Sequence, residues 1–444
     1  MFLNCLTSML YIQYLNKGKA MSEIRNNILN ESYQLIKTDS GLQIACYNMP
    51  GYNAVHAVFA TNFGSVDRSF VMNGQRYDIP AGVAHFLEHK MFENEDGDAF
   101  DKYAKTGANA NAFTSFDKTC YIFTATDKVE ESLDILMNFV TTPYFTPQTV
   151  EKEQGIIGQE IKMYDDSANW RLLFGVLEGL FVNHTVRDDI AGTVESISYI
   201  TDKMLYDCAK AFYSPSQMFL SVAGNITVDK VLAACDRAGF KYETLEVERI
   251  TTEEPDEINY TEKSINMPVS VPLIAVGYKE KMSNPVTIRE ELCGEIIMDV
   301  LSGSTSKLFN KLYDLNIVNG TFEGEIFSGT DYYATIISGE TAYPDVLEKE
   351  IEDAIADLKA NGVNEEDFLT SKNSMYGSMI VDFENVEEVA TSIASAHFKG
   401  RTAYTALETL SKITLDDVNT QLQSMFRADK RTVFKVMPME ADND

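Results

Sequence analysis

The sequence passes twice through one order of elements, and that repetition limits the folds open to it. In the first pass, apolar alternation marks strands at 42–47 and 54–63, a helix at 82–93 and a strand at 120–126. Helical periodicity fills most of 129–213, and a strand at 218–223 and a helix at 228–238 close the pass. The second pass opens with a strand at 272–278, followed by helices at 286–301 and 304–315. Strands at 320–327 and 332–339, helices through 344–425 and a last strand at 432–436 complete it. Between the passes lies 243–263, an acidic, polar stretch with little periodicity, which reads as a linker. Short strands mixed with long helices in both halves predict an α+β class. At 444 residues the chain exceeds a single compact core.

Two of the chain's five histidines fall in one phrase, Ala-Gly-Val-Ala-His85-Phe-Leu-Glu88-His89-Lys-Met-Phe. On a helix, positions three and four apart share a face. His85 and His89 can then grip one metal from adjacent turns, and Glu88 points to the same side. Phe86 and Leu87 turn away and can anchor the helix in a core. Imidazole and carboxylate donors suit zinc, whose catalytic sites take three protein ligands and a water. The metal lowers the pKa of that water from about 16 to about 7. A neighbouring carboxylate can take the proton and later deliver it to a leaving amine. A surface helix with two solvated histidines is the alternative.

A second acidic helix follows downstream, where Glu153 and Glu160 are seven residues apart. Two helical turns place them on one face, and Ile156, Ile157 and Ile161 supply packing contacts. Such a pair can offer one ligand and one supporting acceptor. A merely solvated acidic helix is common in so acidic a chain.

These residues resemble the pitrilysin/insulinase-like metallopeptidases, which include mitochondrial processing peptidase and carry the zinc motif in inverted order. That resemblance implies a third ligand, a Glu roughly seventy to eighty residues further on, preceded at seven residues by a second Glu. Glu160 lies 71 residues after His89, with Glu153 in the preceding place. The resemblance therefore implies zinc on His85, His89 and Glu160, with Glu88 as base and Glu153 as a further catalytic group. It also implies that Asn111, Ala112 and Phe113 form a substrate-edge strand, where an extended peptide pairs by β-augmentation. The phrases Phe-Tyr-Ser-Pro-Ser (212–216) and Ser-Val-Ala-Gly-Asn-Ile-Thr (221–227) are similar to the end of a family domain. The nearest echo is a bacterial branch associated with aminopentanol modification of elongation factor P.

The resemblance covers nearly all of the chain from about Leu35 and implies two homologous domains, each a mainly antiparallel sheet backed by helices. The expected division is an N-terminal extension at 1–34, a zinc-bearing domain at 35–242, the linker 243–263, and a homologous domain without the metal motif at 264–444. One departure stands out. Active family members carry an Arg and a Tyr seven residues apart in the second half, where they stabilise the developing oxyanion. Tyr313 and Gly320 hold those places here. The zinc half of the site is present and the assisting half is not. A homologous partner subunit or a homodimer could supply the missing groups, and split-function pairs are known in the family.

The net charge of −30 repels nucleic acid and anionic membranes and attracts cationic peptides. Cys5, Cys46, Cys120, Cys208, Cys235 and Cys293 are scattered with no CxxC pair, as expected of small buried hydrophobes in a reducing compartment. The apolar run 2–15 has its lysines after it, unlike a secretory signal, and is too short to span a bilayer. Met21 opens a more ordinary start, so 1–20 reads as an upstream start or an extension, and the expected location is cytoplasmic. His56, His184 and His397 read as structural, and Trp170 as a packing residue. Two functions remain: a zinc endopeptidase for peptides or unfolded segments, and a non-hydrolytic metal-binding subunit that holds a partner or substrate. Glu88 favours the first, and the absent Arg and Tyr favour the second or a dependence on a partner.

Overall fold

The computed structural model describes residues 9–16, 19–241 and 245–439, with side chains from Met21 onward. Cys5 and most of the apolar run at 2–8 lie outside the described residues. Two compact units form. One gathers the chain up to Gly158 with Asp189–Thr251 and Met379–Thr405; the other takes Gln159–Asp188, Thr252–Ser378 and the chain from Ala406.

The first unit is built on an eight-stranded sheet. Its order is Met9–Asn16, Lys19–Asn26, Glu31–Lys37, Gln43–Asn48, Met218–Gly224, Val55–Thr61, Thr119–Ala125, Asn109–Thr114. Only Gln43–Asn48 and Met218–Gly224 run parallel. Val55–Thr61 and Met218–Gly224 are buried along their whole length. The helices Val129–Thr141 and Val386–Phe398 both pack on Val55–Thr61 and shield it from water. The outer hairpin, Met9–Asn16 paired with Lys19–Asn26, extends the sheet into the segment read from sequence as an extension.

The second unit has a five-stranded sheet ordered Glu262–Met267, Arg431–Pro438, Leu273–Lys279, Tyr333–Glu340, Glu323–Ser328. Its first pair is parallel and the rest are antiparallel. This is the order of the first sheet from Gln43–Asn48 onward, so the two passes seen in the sequence are two copies of one α+β architecture.

The units do not follow the halves of the sequence. Helix Ala168–Leu180 lies in the first half yet packs on Arg431–Pro438 and Leu273–Lys279. Gly175 permits that approach: a Cβ there would meet the Phe434 ring at 2.5 Å. Helix Val386–Phe398 makes the reciprocal exchange and packs on Met218–Gly224 and Val55–Thr61. The acidic stretch 243–263 is also anchored. Val247–Arg249 pairs with Phe70–Met72, and Glu254 accepts hydrogen bonds from the amides of Val182, Asn183 and His184.

All five described cysteines are buried free thiols. Burial pushes Cys46, Cys120 and Cys293 up to about 12, which keeps them protonated and unreactive. Among the described residues no helix is long and apolar enough to cross a membrane.

Candidate metal centre and its cleft

The motif helix, Val83–Phe92, starts where only glycine fits. Gly82 has φ 89°, and a Cβ on it would lie 2.4 Å from the Ala191 carbonyl oxygen. Ser196 Oγ donates to the carbonyl of Ala81 at 3.0 Å, tying the entrance of the helix to the 191–196 loop. Phe86 and Leu87 are fully buried, as the sequence predicts, and hold the opposite face in the core. Lys90 is also fully buried and is neutralised by Glu93.

Helix Pro147–Asp165 carries both downstream carboxylates. The contact division between the units falls within this helix, after Gly158, but the helix itself is continuous, so Glu153 and Glu160 sit two turns apart on one rod. The structure brings His85, His89 and Glu160 together: one ligand atom from each lies within 4.8 Å of the others. The His85 and His89 rings are 4.6 Å apart. Nδ1 of His89 lies 3.1 Å from Oε1 of Glu153. When that nitrogen donates to the carboxylate, Nε2 is left as the electron-pair donor, the tautomer a metal ligand needs. Tyr164 donates to Glu160 Oε1 at 2.7 Å and is itself stacked on Trp170 at 4.6 Å. Two imidazoles and a carboxylate, two of the three steadied by a neighbour, fit zinc.

Glu88 accepts a hydrogen bond from Thr114 Oγ1 at 2.8 Å. Thr114 ends Asn109–Thr114, the outermost strand of the first sheet, which pairs on one side with Thr119–Ala125. Asn111, Ala112 and Phe113 lie in this edge strand. The Ala112 amide is met by the Asn111 side chain at 2.9 Å, so that amide faces away from the neighbouring strand. A cleft of about 620 Å³ opens beside the motif helix and is lined by Glu88, His89, Ala112 and Glu153. Phe92 and Phe100, stacked at 4.4 Å, form part of its wall. Ile156 also lines it and is 47% exposed, which corrects the sequence reading of Ile156 as a packing residue. Ile157 and Ile161 do pack inward.

The three histidines read as structural have contacts that fit that reading. Nδ1 of His184 accepts from the Val186 amide, and Nε2 lies 3.3 Å from Asp331. His56 contacts Thr124 at 2.9 Å, and burial lowers its pKa. His397 is stacked on Phe219 at 3.8 Å, and burial lowers it to about 4. In the second unit, Tyr313 lies exposed on Lys307–Asp314, and Gly320 sits in open space before Glu323–Ser328.

Sequence reasoning missed Thr114, Tyr164, Phe100 and the cleft lysine, Lys152. Tyr164 was readable, four residues after Glu160 on the same helix. The other three depend on how strand, hairpin and helix meet, and no local pattern reports that.

A family model described as Insulinase (Peptidase family M16) matches residues 69–194, and one described as Peptidase M16 inactive domain matches 199–375. The chain belongs to peptidase family M16. Within this family it is 38% identical over 421 residues to a Bacillus subtilis (strain 168) protein named uncharacterized zinc protease YmfH, covering 92% of this chain and 97% of that one. A second protein of that organism, uncharacterized zinc protease YmxG, is 25% identical over 81% of this chain and 90% of its own length. A crystal structure of an M16-like peptidase from Alicyclobacillus acidocaldarius superposes with a TM-score of 0.87 at 31% identity, covering 92% and 98% of the two chains. A protease from Helicobacter pylori shares the fold at a TM-score of 0.78 and 17% identity, over 91% and 99%. Membership in M16 and relatives named zinc proteases support a peptidase-like role and zinc as the metal.

Proposed function

We propose that the chain is a zinc metalloendopeptidase that hydrolyses peptides or unfolded segments. The observation that carries this reading is the gathering of His85, His89 and Glu160 around one point, with Glu88 on the same helix and an open strand edge alongside. His85, His89 and Glu160 would hold zinc, which when bound would supply Lewis acidity and bring the pKa of water near neutral. Glu88 accepts the proton of the attacking water and passes it to the departing amine. Glu153 fixes the ring of His89. The outward edge of 109–113 pairs with the peptide backbone and presents the scissile bond to Glu88. The small side chain of Ala112 leaves room for that second strand.

Tyr313 and Gly320 favour a second reading, in which a homologous partner subunit or a second copy supplies the cationic and phenolic groups that steady the oxyanion. In its extreme form this chain is a non-hydrolytic metal-binding or substrate-binding subunit. Zinc per chain, measured by elemental mass spectrometry after loosely bound metal is removed, is expected to be about one for wild type and for Glu88→Gln. It is expected to fall for Glu160→Gln. Peptide-library digestion should be lost in Glu88→Gln. Equal digestion by wild type and Glu88→Gln refutes the mechanism, and zinc without digestion by wild type supports the non-hydrolytic reading.

A further inference from the structure

Along the strand Asn109–Thr114, side chains alternate between two faces. Phe113 packs against a core cluster that includes Phe219 and Ile393. Ala112 and Thr114 lie on the other face: Ala112 lines the cleft with Glu88, and Thr114 reaches the Glu88 carboxylate. Thr114 is opposite Thr119 in register, and the two hydroxyls are 3.4 Å apart. Thr119 is fully buried and gives its hydrogen to the Phe63 carbonyl at 2.9 Å. A hydroxyl has one hydrogen to give. Thr119 spends its own on Phe63, and Thr114 gives its hydrogen to the accepting Glu88 carboxylate at 2.8 Å, much the shorter of its two contacts, so the two hydroxyls only touch.

The end of the strand that carries Thr114 is also the fixed end. The amides of Ser65 and Val66 donate to the carbonyls of Ser115 and Phe116 at 3.1 and 3.0 Å. Gly64 lets this hairpin tip approach so closely that a Cβ there would lie 2.4 Å from the Phe116 oxygen. The tip is thus bolted to the 64–66 segment, while 109–113 presents its edge.

Building on the peptidase reading, we infer that Thr114 is a positioning residue that holds the Glu88 carboxylate in register with the peptide bound on its own strand. One rigid strand then carries both the substrate edge and the anchor of the base. Reacting groups separated by even about 1 Å from the productive geometry lose rate steeply, so a shared frame has a direct kinetic consequence.

The test compares wild type, Thr114→Val and Thr114→Ser on a quenched fluorescent peptide found by library digestion, with zinc content measured for each. Thr114→Val keeps the shape and removes the donor. Its kcat is expected to fall about 10- to 100-fold, the range for a lost hydrogen bond to a charged group, with KM within about twofold and zinc unchanged. Thr114→Ser restores the donor and is expected to regain most of kcat. Unchanged kcat in Thr114→Val, or an equal loss in Thr114→Ser, overturns the positioning role while leaving the peptidase reading intact. Zinc-loaded wild type that cleaves nothing overturns both.

Discussion

Glu280 follows the strand Leu273–Lys279 into the core of the second unit and is only 7% exposed. Oε1 accepts from the Phe426 amide at 2.9 Å and from Thr335 Oγ1 at 3.2 Å. Oε2 is buried and has no hydrogen-bond partner among the described residues. Burial raises the pKa from 4.5 to about 7, and those two hydrogen bonds with the nearby Arg427 pull it only part of the way back. The folded state therefore holds a proton that the unfolded chain has released between pH 4.5 and about 7. With the unfolded state binding fewer protons, stability falls as pH rises through this window and levels off above it. The interval corresponds to roughly 3 kcal/mol, an order-of-magnitude figure. Glu280→Gln keeps the neutral shape and cannot titrate. Urea unfolding of both proteins at steps from pH 5 to pH 8.5 reads the effect as a difference, in which every other titrating group cancels. The variant should gain on wild type by about 3 kcal/mol across the window, most of it between pH 5 and 7. A difference that stays constant across the range refutes the reasoning.

Other consequences concern the metal centre. Tyr164→Phe removes the hydroxyl that orients Glu160, and zinc affinity is expected to fall about 10-fold with the fold unchanged, measured by competition with a chromogenic chelator. Gly82→Ala combines a positive φ with a clash against Ala191, so it should destabilise the protein by about 2 kcal/mol or more and lower zinc retention, as denaturation and metal analysis would show. Phe100→Ala removes an exposed ring from the cleft wall and should raise KM for peptides more than it lowers kcat.

The fold was legible where the local pattern and the tertiary setting agree. The helix expected at 82–93 is found at Val83–Phe92, and the helix expected at 228–238 is found at Val228–Ala238. Both have capping glycines, Gly82 at the start of one and Gly239 at the end of the other. The helix exchange was not legible. Ala168–Leu180 reads as one more helix of the first half, and only long-range fits, such as Gly175 against Phe434 some 260 residues later and Gly277 against Val176, assign it to the other sheet. Short strands such as Val247–Arg249 escaped for a related reason. Three residues carry no periodicity, and their pairing with Phe70–Met72 is a long-range fact. The pairing of His85 with His89 was legible because helical spacing is local, and Glu160, which the structure brings beside them, was marked only by the family resemblance. Thr114 was not legible, because a strand end meets a helix only after folding.

Comparison of the two sheets separates what the fold requires from what the chemistry requires. Strand order, the parallel first pair and the exchanged helix recur in both units. In the second unit the helix that follows the central strand is Ile288–Ser302, the counterpart in chain order of Val83–Phe92. It carries Glu290, Glu291, Glu295 and Asp299 but no histidine. Glu290 is committed to a capping box with Thr287, and Glu291 is buried. That helix has the length, cap and packing face the architecture needs, and none of the nitrogen donors a catalytic zinc needs. The repeat therefore preserves a scaffold, and the proposed chemistry is confined to the first copy and to the two carboxylates two turns apart on Pro147–Asp165. On that division, replacing His85 or His89 should abolish zinc binding, read by elemental mass spectrometry, while circular dichroism shows the protein still folded, because the strands of both sheets pair without either side chain; loss of the fold in those variants refutes it.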